Sequence, residues 1–573
     1  MIRVRIYVSI LFLCLAVLLS GLVHIQVIKH EKYRVMSEDN RLKVVPLMAP
    51  RGSILDRHGN ALVKDVLSFN VAVVHSRIKD KADLSGFLCS VLGVTEDEML
   101  RKITEARRTP FSHVCVASDV GIEKAILVEE GGMDYPGLFM DVTTRREYVY
   151  GKISSNVLGY IGYINRPEFE RMKHYGYRID DLMGRDGIEK YYDDYLRGRH
   201  GGKQIEVDHR GRESTILGFK EPVPGKNVYL TIDLKLQEFC DGLLEGKKGV
   251  IVVMDPNSGA ILAMANAPSY DPGIFIDRAR RKERSRIFKD ENSPLLNRAI
   301  AGVYPLGSVF KVVTAMAALE TGKVTPFTSF ECPGYFYLGK TRFNCWNRTG
   351  HGIQALTEAL KNSCNVYFFN IGLLAGVDKI AEFAEKCGFG RATGIDLPGE
   401  NPGVAPGRAW KKKRLNENWY NGDTVNYAIG QGYFLCTPVQ AARLMSIFAN
   451  GGYLVRPFIA EKIDDITVSG DEKVDIKVSA GTLENIREGL RKAVNDARGT
   501  GQKARLPGIV VAGKTGTAQT SRGISHGWFA GFAPFDKPAL TVMVFDEYGG
   551  KGGYYAAETA GKVFQKAQDL GLL

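Results

Sequence analysis

The chain has 573 residues, which is too long for one hydrophobic core and therefore predicts two or three domains. Hydrophobic residues make up 45% of the sequence and charged residues 24%, which excludes a disordered or collagen-like protein. The formal net charge is +12, but the basic stretches 278–284 and 411–414 are not interleaved with aromatic residues in a nucleic-acid-binding motif. We therefore expect no nucleic-acid partner, and interpret these stretches as solvated loops or as contacts with an anionic envelope polymer or membrane surface.

The first predicted element is an apolar segment close to the N-terminus. Residues 6–23 contain no charged side chain, and the apolar run extends to Ile28. A helix over 6–28 would be about 35 Å long, which is enough to cross a bilayer. Arg3 and Arg5 precede the segment and a large domain follows it, so we expect the N-terminus inside and the bulk of the chain outside. A cleaved signal peptide is the alternative, but the segment is long and lacks an obvious small-x-small cleavage site.

A buried helix that carries a lysine is predicted after residue 307. Pro-Leu-Gly at 305–307 breaks the chain, and residues 308–319 are apolar and Ala-rich without Gly or Pro. Ser308 and Lys311 are three residues apart, so they share one face of this helix. Backbone N–H groups and the helix dipole near Ser308 can stabilise an oxyanion. A serine that only capped the helix would leave the buried lysine unexplained, so we interpret the pair as nucleophile and base.

Lys311 can act as a base near neutral pH only if its pKa is lowered. The pKa must fall from about 10.4 to near 7, which corresponds to about 4 kcal/mol. Burial and a second nearby cation both act in this direction. Lys514 is the natural second cation; it follows the β-type run 509–513, although the same triplet would also suit an ordinary turn. Lys514 and the hydroxyls of Thr515 and Thr517 can bind a substrate carboxylate. The small Gly516 would let a ligand lie along a strand edge.

Four possible metal ligands cluster in the middle of the chain. Three thiols and one imidazole form a complete tetrahedral zinc set, although the spacing is wider than in zinc fingers. The residues are Cys332, Cys345, His351 and Cys364. The alternative is a disulfide between the first two cysteines in an oxidising compartment, with Cys364 as a buried free thiol. Cys364 lies between Ser363 and Asn365, so a metal there would fix that loop.

Three short motifs follow one another in the second half of the chain. They are Ser-Val-Phe-Lys at 308–311, Ser-Cys-Asn at 363–365 and Lys-Thr-Gly-Thr at 514–517. The first two patterns also occur by chance, at 76–79 and 68–70, so the order and the context of the three motifs make them informative. Together they resemble the site of penicillin-binding proteins and serine β-lactamases, in which a lysine is the general base.

Other segments extend this resemblance along nearly the whole chain to the class B penicillin-binding proteins. The matching segments are 51–62, 184–198, 255–264, 430–432 and 526–529. Segments 332–334, 345–346, 350–352 and 419–424 resemble the elongation type of that class. Asn421 stands where this type usually has proline. No repeat module follows the last predicted helix, 556–567, which disfavours the division and sporulation types.

The resemblance implies an α+β fold in three parts. Residues 1–28 would form the cytoplasmic tail and transmembrane anchor, and 29–235 an elongated, β-rich pedestal of the dimerisation type. Residues 236–573 would form the transpeptidase domain, with an antiparallel sheet between helical clusters. This implies a single-pass protein of the bacterial cytoplasmic membrane, with its N-terminus inside and its catalytic domain on the periplasmic side.

The implied activity is serine-type D-Ala-D-Ala transpeptidation, which crosslinks the stem peptides of peptidoglycan glycan strands during cell elongation. Ser308 would attack the peptide after losing its proton to Lys311. Ser363 would relay a proton and Asn365 would orient Lys311, while Lys514, Thr515 and Thr517 would hold the terminal carboxylate. β-Lactams would acylate Ser308, and D,D-carboxypeptidase action is a possible side activity.

The resemblance also implies partners and a metal. No cofactor is required for the chemistry, but members of the elongation type sometimes carry a metal at the region of Cys332–Cys364. The expected partners are a RodA-type glycosyltransferase, other proteins of the elongation complex and the membrane.

Other functions remain as alternatives at this point. A division- or sporulation-type transpeptidase would share the three motifs. A β-lactamase would need a base that activates water, and no separate carboxylate motif suggests one. A β-lactam receptor that signals across the membrane would need more spans or a cytoplasmic effector, and the five residues before the anchor leave no room for one.

Overall fold

The chain folds into two units, each assembled from separated stretches of sequence. The computed structural model describes residues 2–111, 113–179, 181–207, 213–277, 280–468, 470, 472–520, 523–550 and 552–573. The first unit comprises Met1–Gly52, Asp65–Arg146 and Arg197–Gly225. The second comprises Ser53–Lys64, Glu147–Leu196 and Lys226–Leu573. The domain boundaries predicted at residues 28 and 235 stay predictions.

The first unit begins with the predicted apolar helix. It runs over Ile2–Val23 and continues through a π-helical turn, His24–Ile28. A stretch of 18 residues within it has a mean hydropathy of 2.7, and none of its described side chains is buried. By length and composition, it is the one helix in the described part of the chain that could cross a membrane. It is therefore consistent with a single-pass anchor.

The remainder of the first unit is a small α+β arrangement with its own core. Two helices, Lys81–Leu92 and Glu96–Glu105, bury Leu84, Leu88 and Ile103. Its other helices and helical turns are His30–Arg41, His75–Arg77, Ala106–Arg108, Ile122–Gly131 and Gly132–Asp134. Its strands are Leu42–Leu47, Ala61–Val73 from residue 65, Val114–Val120, Leu138–Tyr148 to residue 146, Gly201–Val207 and Glu213–Lys220.

The second unit is built around a five-stranded antiparallel sheet. In spatial order its strands are Ile261–Ala267, Gly249–Met254, Leu540–Asp546, His526–Ala533 and Ala512–Ala518. Val250 and Val252 belong to one apolar core, whereas Ile251 and Val253 belong to another. Side chains alternate between the two faces of a strand, so both faces of this sheet are buried. The predicted fold class, an antiparallel sheet between helical clusters, is confirmed.

Helices cover both faces of this sheet. The helices Leu234–Leu243 and Gly552–Asp569 contribute Leu236, Ala560 and other residues to one core. The helices Lys311–Glu320 and Pro438–Ala449 contribute to the other core. Pro438–Ala449 begins at a capping box between Thr437 and Gln440, and every one of its residues is buried.

The remaining elements of the second unit connect and flank this sandwich. Its other helices and helical turns are Ser155–Leu158, Arg166–Met172, Lys173–Tyr175, Gly187–Tyr191, Asp193–Leu196, Pro272–Phe275, Arg281–Lys289, Gly307–Phe310, Leu356–Lys361, Asn365–Ala375, Val377–Lys386, Arg408–Leu415, Asn421–Tyr427, Ala480–Asn495 and Gln502–Ala504. Its other strands are Ile54–Leu55, the start of Ala61–Val73, Ile161–Tyr163, Leu182–Gly184, Val228–Leu230, Phe330–Cys332, Tyr335–Leu338, Thr341–Asn344, Gly352–Gln354, Tyr453–Val455, Ala460–Ile463, Ile466–Thr467 and Lys473–Asp475.

The two basic stretches are helical, so their interpretation as loops was wrong. Residues 278 and 279 lie outside the described residues, but the rest of the first stretch enters the helix Arg281–Lys289. The second stretch lies in the helix Arg408–Leu415. Lys411 is only 2% exposed there, and its Nζ donates to Asp423 Oδ2 at 2.7 Å. This lysine therefore has a structural partner within the chain.

Candidate active site

Ser308 lies where the edge strand of the sheet approaches the start of a buried helix. The predicted helix is present, but it begins as a 3-10 turn over Gly307–Phe310 before the α-helix Lys311–Glu320. Gly307 has a φ of +60°, and its N–H donates to the Gly430 carbonyl at 3.0 Å. A Cβ at residue 307 would lie 2.6 Å from the Thr517 carbonyl oxygen. Glycine is therefore required both for the left-handed backbone and for the close approach of the strand.

Lys311 is the centre of the polar contacts in this region. Its side chain is completely buried and follows Ser308 by one turn. Its Nζ lies 2.7 Å from Asn365 Oδ1, 2.7 Å from the Ser363 carbonyl oxygen and 3.3 Å from Ser363 Oγ. The structure thus brings the second predicted motif onto the lysine of the first. Among the described contacts of Lys311 Nζ there is no hydrogen bond to Ser308 Oγ, and hydrogen bonds between catalytic groups are often long before substrate binds.

Burial lowers the pKa of both candidate lysines. For Lys311, burial lowers the pKa to about 8, and the nearby Cys345 acts in the opposite direction. For Lys514, burial first and the charge of Lys311 second lower the pKa well below its usual value. A buried ammonium group disfavours the charged form of a neighbouring one. The charge of Lys311 thus acts on Lys514, whereas the groups that act on the pKa of Lys311 besides burial are the three nearby cysteines rather than Lys514, the second cation predicted from the sequence.

The third motif forms part of the edge strand rather than following a strand. The strand runs over Ala512–Ala518 and pairs antiparallel with His526–Ala533, so the strand predicted over 509–513 was placed too early. Lys514 is completely buried and its Nζ donates to the Thr515 carbonyl at 3.2 Å. A Cβ at Gly516 would lie 2.8 Å from the Leu306 carbonyl oxygen. The absence of a side chain at residue 516 thus lets this strand lie against the turn of Ser308.

The strand separates the side chains of its motif onto two faces. Because side chains alternate, Lys514 shares a face with Gly516, which lies against the turn of Ser308. Thr515 and Thr517 share the opposite face; Thr515 is buried and Thr517 is exposed. A ligand that binds along the strand edge can meet groups from both faces.

The second motif is a strained loop that leads into a helix. Ser363 has a φ of +53°, which is the left-handed region that residues with a Cβ rarely adopt. The helix Asn365–Ala375 begins two residues later, and Asn365 Nδ2 also donates to the Asn344 carbonyl at 3.3 Å. The Trp346 indole N–H lies 3.0 Å from the Asn362 carbonyl oxygen and 3.1 Å from that of Ser363. No role for Trp346 was predicted from the sequence, although it lies in a segment that resembles the elongation type.

The four predicted metal ligands come together beside this loop. The ligand atoms of Cys332, Cys345, His351 and Cys364 all lie within 4.8 Å of one another. His351 Nδ1 lies 3.5 Å from the sulfur atoms of Cys332 and Cys345. His351 Nε2 is buried without a partner among the described residues, so Nδ1 is the nitrogen that faces the thiols. Among the described residues, Cys332, Cys345 and Cys364 form no disulfide.

This group of four residues fits a zinc ion by chemistry and by burial. The three cysteines are at most 1% exposed, and thiolate and imidazole are the ligands that zinc prefers at tetrahedral sites. The Cys345 sulfur also accepts the Asn365 N–H at 3.4 Å. The group is therefore in direct contact with the loop that holds Lys311.

The two chance motif matches belong to the other unit of the chain. Ser76 belongs to the 3-10 turn His75–Arg77 and Ser68 to the strand Ala61–Val73, both in the first unit. Ser308, Lys311, Ser363, Asn365 and Lys514 all belong to the second unit.

Comparisons with known proteins identify the family. The model of the penicillin-binding protein transpeptidase domain matches residues 249–567, and that of the penicillin-binding protein dimerisation domain matches residues 46–230. The chain therefore belongs to the penicillin-binding protein transpeptidases.

Similar proteins narrow this assignment. The peptidoglycan D,D-transpeptidase MrdA of Haemophilus influenzae is 33% identical over 96% of this chain and 89% of the relative. The penicillin-binding protein PBP2 of Helicobacter pylori, solved in complex with MreC, has a TM-score of 0.81 and 29% identity over 93% of this chain and 99% of that one. A chain of a peptidoglycan synthase complex, described as coordinating polymerization and crosslinking, has a TM-score of 0.77 and 33% identity over 98% of this chain and 97% of that one. The chain is thus a class B penicillin-binding protein of the PBP2 type.

Proposed function

We propose that this protein is a peptidoglycan D,D-transpeptidase that crosslinks stem peptides during cell elongation and is covalently inhibited by β-lactams. The observation that carries the proposal is the environment of Lys311. Its buried Nζ contacts both Ser363 and Asn365, and it lies one turn after Ser308. A buried lysine with a lowered pKa, held between a hydroxyl and an amide, is equipped to accept and return a proton.

The first half of the reaction forms an acyl-enzyme. Ser308 Oγ attacks the carbonyl carbon between the two terminal D-alanines while its proton passes to Lys311 Nζ. The developing oxyanion is stabilised by the backbone N–H groups of Ser308 and Thr517. Lys514 and the Thr515 and Thr517 hydroxyls bind the terminal carboxylate. The carbon–nitrogen bond then breaks, and Ser363 relays a proton to the amine of the leaving D-alanine.

The second half transfers the acyl group to an amine. An amino group from a neighbouring glycan strand attacks the ester carbonyl, Lys311 accepts the excess proton, and Ser308 leaves with a proton restored to its oxygen. Attack by water instead of the amine would give D,D-carboxypeptidase activity. A β-lactam enters the first half in place of the peptide, but its amine remains tethered, so the ester on Ser308 persists.

The first prediction concerns the nucleophile. Ser308→Ala is expected to abolish covalent penicillin binding while the melting temperature stays close to that of the wild type, because residue 308 is only partly buried. Mass spectrometry of the full chain after penicillin treatment should place the adduct on Ser308. Ser76→Ala is the matched control and should label normally. An adduct on Ser76 would contradict the assignment.

The second prediction concerns the base. Lys311→Ala is expected to lower the rate of acylation about as much as Ser308→Ala does, because the two groups act as one unit. The double variant should therefore be little worse than either single variant. The measurement is the rate of labelling by a fluorescent penicillin, with Lys412→Ala, an exposed lysine, as the control. Additive losses would show that the base lies elsewhere.

We also propose that Cys332, Cys345, His351 and Cys364 bind one structural zinc ion. The support is the buried donor set described above, with all its ligand atoms within 4.8 Å. A bound ion would hold these side chains together. The metal takes no part in the proposed proton transfers. Through the Cys345 sulfur and the backbone of Cys364, these ligands would instead hold Ser363 and Asn365 in place.

The third prediction tests the metal. Protein purified without chelators should contain about one zinc ion per chain, and chelation should lower the melting temperature because the ion binds only the folded state. Cys364→Ser should lose the ion, whereas Cys89→Ser, outside the group, should keep it. A metal content near zero, with a Cys332–Cys345 peptide in non-reducing mass spectrometry, would support the disulfide alternative instead.

The membrane arrangement and the partner are further parts of the proposal. We infer that Ile2–Ile28 spans the cytoplasmic membrane once, with Arg3 and Arg5 inside and the catalytic unit on the periplasmic side. The proposed partner is a RodA-type glycosyltransferase, because a crosslinking enzyme needs newly made glycan strands. The proposal is supported by the likeness to a chain of a peptidoglycan synthase complex. Other proteins of the elongation complex, such as the MreC bound to the similar Helicobacter pylori protein, belong to the same proposal.

The fourth prediction tests the anchor as a partner-binding element. Replacing Ile2–Ile28 in the full chain with an unrelated apolar helix of equal length should preserve membrane insertion and penicillin labelling. It should lower the stimulation of glycan polymerisation by at least tenfold in membranes that contain the glycosyltransferase. Equal stimulation by the exchanged chain would rule out a specific contact through the anchor.

A further inference from the structure

Ser363 adopts a backbone conformation that needs support from outside its own segment. Its φ of +53° costs about 1–2 kcal/mol for a residue with a Cβ. The side chain is 5% exposed, so solvent does little to stabilise the loop. If this conformation relaxed to a negative φ, both the carbonyl and the hydroxyl of Ser363 would move relative to Lys311 Nζ.

Two donors hold the Ser363 carbonyl in place. Lys311 Nζ lies 2.7 Å from the carbonyl oxygen and the Trp346 indole N–H lies 3.1 Å from it. The same indole N–H is 3.0 Å from the Asn362 carbonyl oxygen. The preceding residue, Cys345, accepts the N–H of Asn365 through its sulfur. Residues 345 and 346 therefore contact the backbone on both sides of the strained serine.

The two donors on this carbonyl differ in how they respond to the proposed reaction. Lys311 gains and loses a proton in each half, so its hydrogen bonds change in strength and direction during turnover. The indole N–H donates only and does not ionise near neutral pH. Trp346 is thus a donor to Ser363 whose state remains constant throughout the reaction.

The Trp346 ring is too exposed to serve mainly as part of the hydrophobic core. Its side chain is 58% exposed, and its ring centroid lies 5.3 Å from that of His351. A tryptophan that served the core would bury most of its ring. The indole N–H, in contrast, points inward to two backbone carbonyl oxygens.

We propose that Trp346 is a positioning residue for acyl transfer: its N–H holds Ser363 in the left-handed conformation that keeps Ser363 Oγ at Lys311 Nζ. This inference rests on the proposed acylation of Ser308. Trp346 acts through Ser363 and is not itself required to touch the substrate.

The fifth prediction tests this role with Trp346→Phe in the full-length, detergent-solubilised chain. The change keeps an aromatic ring and removes the N–H. The rate constant of Ser308 acylation by a fluorescent penicillin should fall about tenfold, because the hydrogen bond that holds the Ser363 carbonyl is lost. The penicillin concentration that gives half-maximal rate should change less than twofold, and the melting temperature should change little. Trp410→Phe, in which the lost indole packs against Tyr433, is the matched control and should acylate normally.

The same substitution in a Ser363→Ala chain distinguishes a positioning role of Trp346 from direct contact with the substrate. In the Ser363→Ala chain the hydroxyl is absent and only the carbonyl can still move, so adding Trp346→Phe should slow acylation by a smaller factor than it does in the wild-type chain. A tenfold loss in both backgrounds would overturn the proposal, as would an unchanged rate in Trp346→Phe. A loss confined to the half-maximal concentration would also overturn it, since that would indicate contact between the ring and the ligand. If the wild-type chain formed no adduct on Ser308, the proposed function itself would fail.

Discussion

The desolvation of one amino group is the constraint on which the rest of the site depends. Lys311 is buried completely, and the removal of water is what lowers its pKa. A buried amine is tolerable only if its protons find acceptors, and the Ser363 and Asn365 oxygens provide them. The loop of the second motif therefore contacts the first motif because the buried Lys311 needs its oxygen acceptors. The group of three cysteines and His351 contacts the same loop through the Cys345 sulfur.

Close packing between two backbone segments brings the third motif to the site formed by the first two motifs. The turn before Ser308 and the edge strand approach each other at Gly307 and Gly516, where a Cβ would lie within 2.8 Å of a backbone oxygen. This contact limits how far the Lys514 side chain can be from Lys311, and the charge of Lys311 makes Lys514 harder to protonate. Gly307 and Gly516 thus affect the electrostatics of the site, although neither residue has a side chain.

Much of this arrangement could be predicted from the sequence, for identifiable reasons. An apolar run of about 23 residues, a lysine in an Ala-rich helix and the ordered triplet of motifs each carry a local signal, and each has its counterpart in the structure. The helices Arg281–Lys289 and Arg408–Leu415 were misread because charge alone suggested loops. The left-handed Ser363 and the inward indole of Trp346 could not be predicted, because both depend on contacts between segments that no local pattern encodes.

The distance along the chain between the parts of the site has a consequence for biosynthesis. The edge strand Ala512–Ala518 joins the sheet through His526–Ala533 and Leu540–Asp546, so these three strands are the last segments needed before the sheet can close against the turn of Ser308. A nascent chain that has emerged only to residue 500 carries Ser308, Lys311 and Ser363 but lacks the edge strand that lies against the turn of Ser308. In the proposed mechanism such a chain lacks the Thr517 N–H of the oxyanion site, so it would be inert toward both the peptide substrate and β-lactams until its last strands have been made.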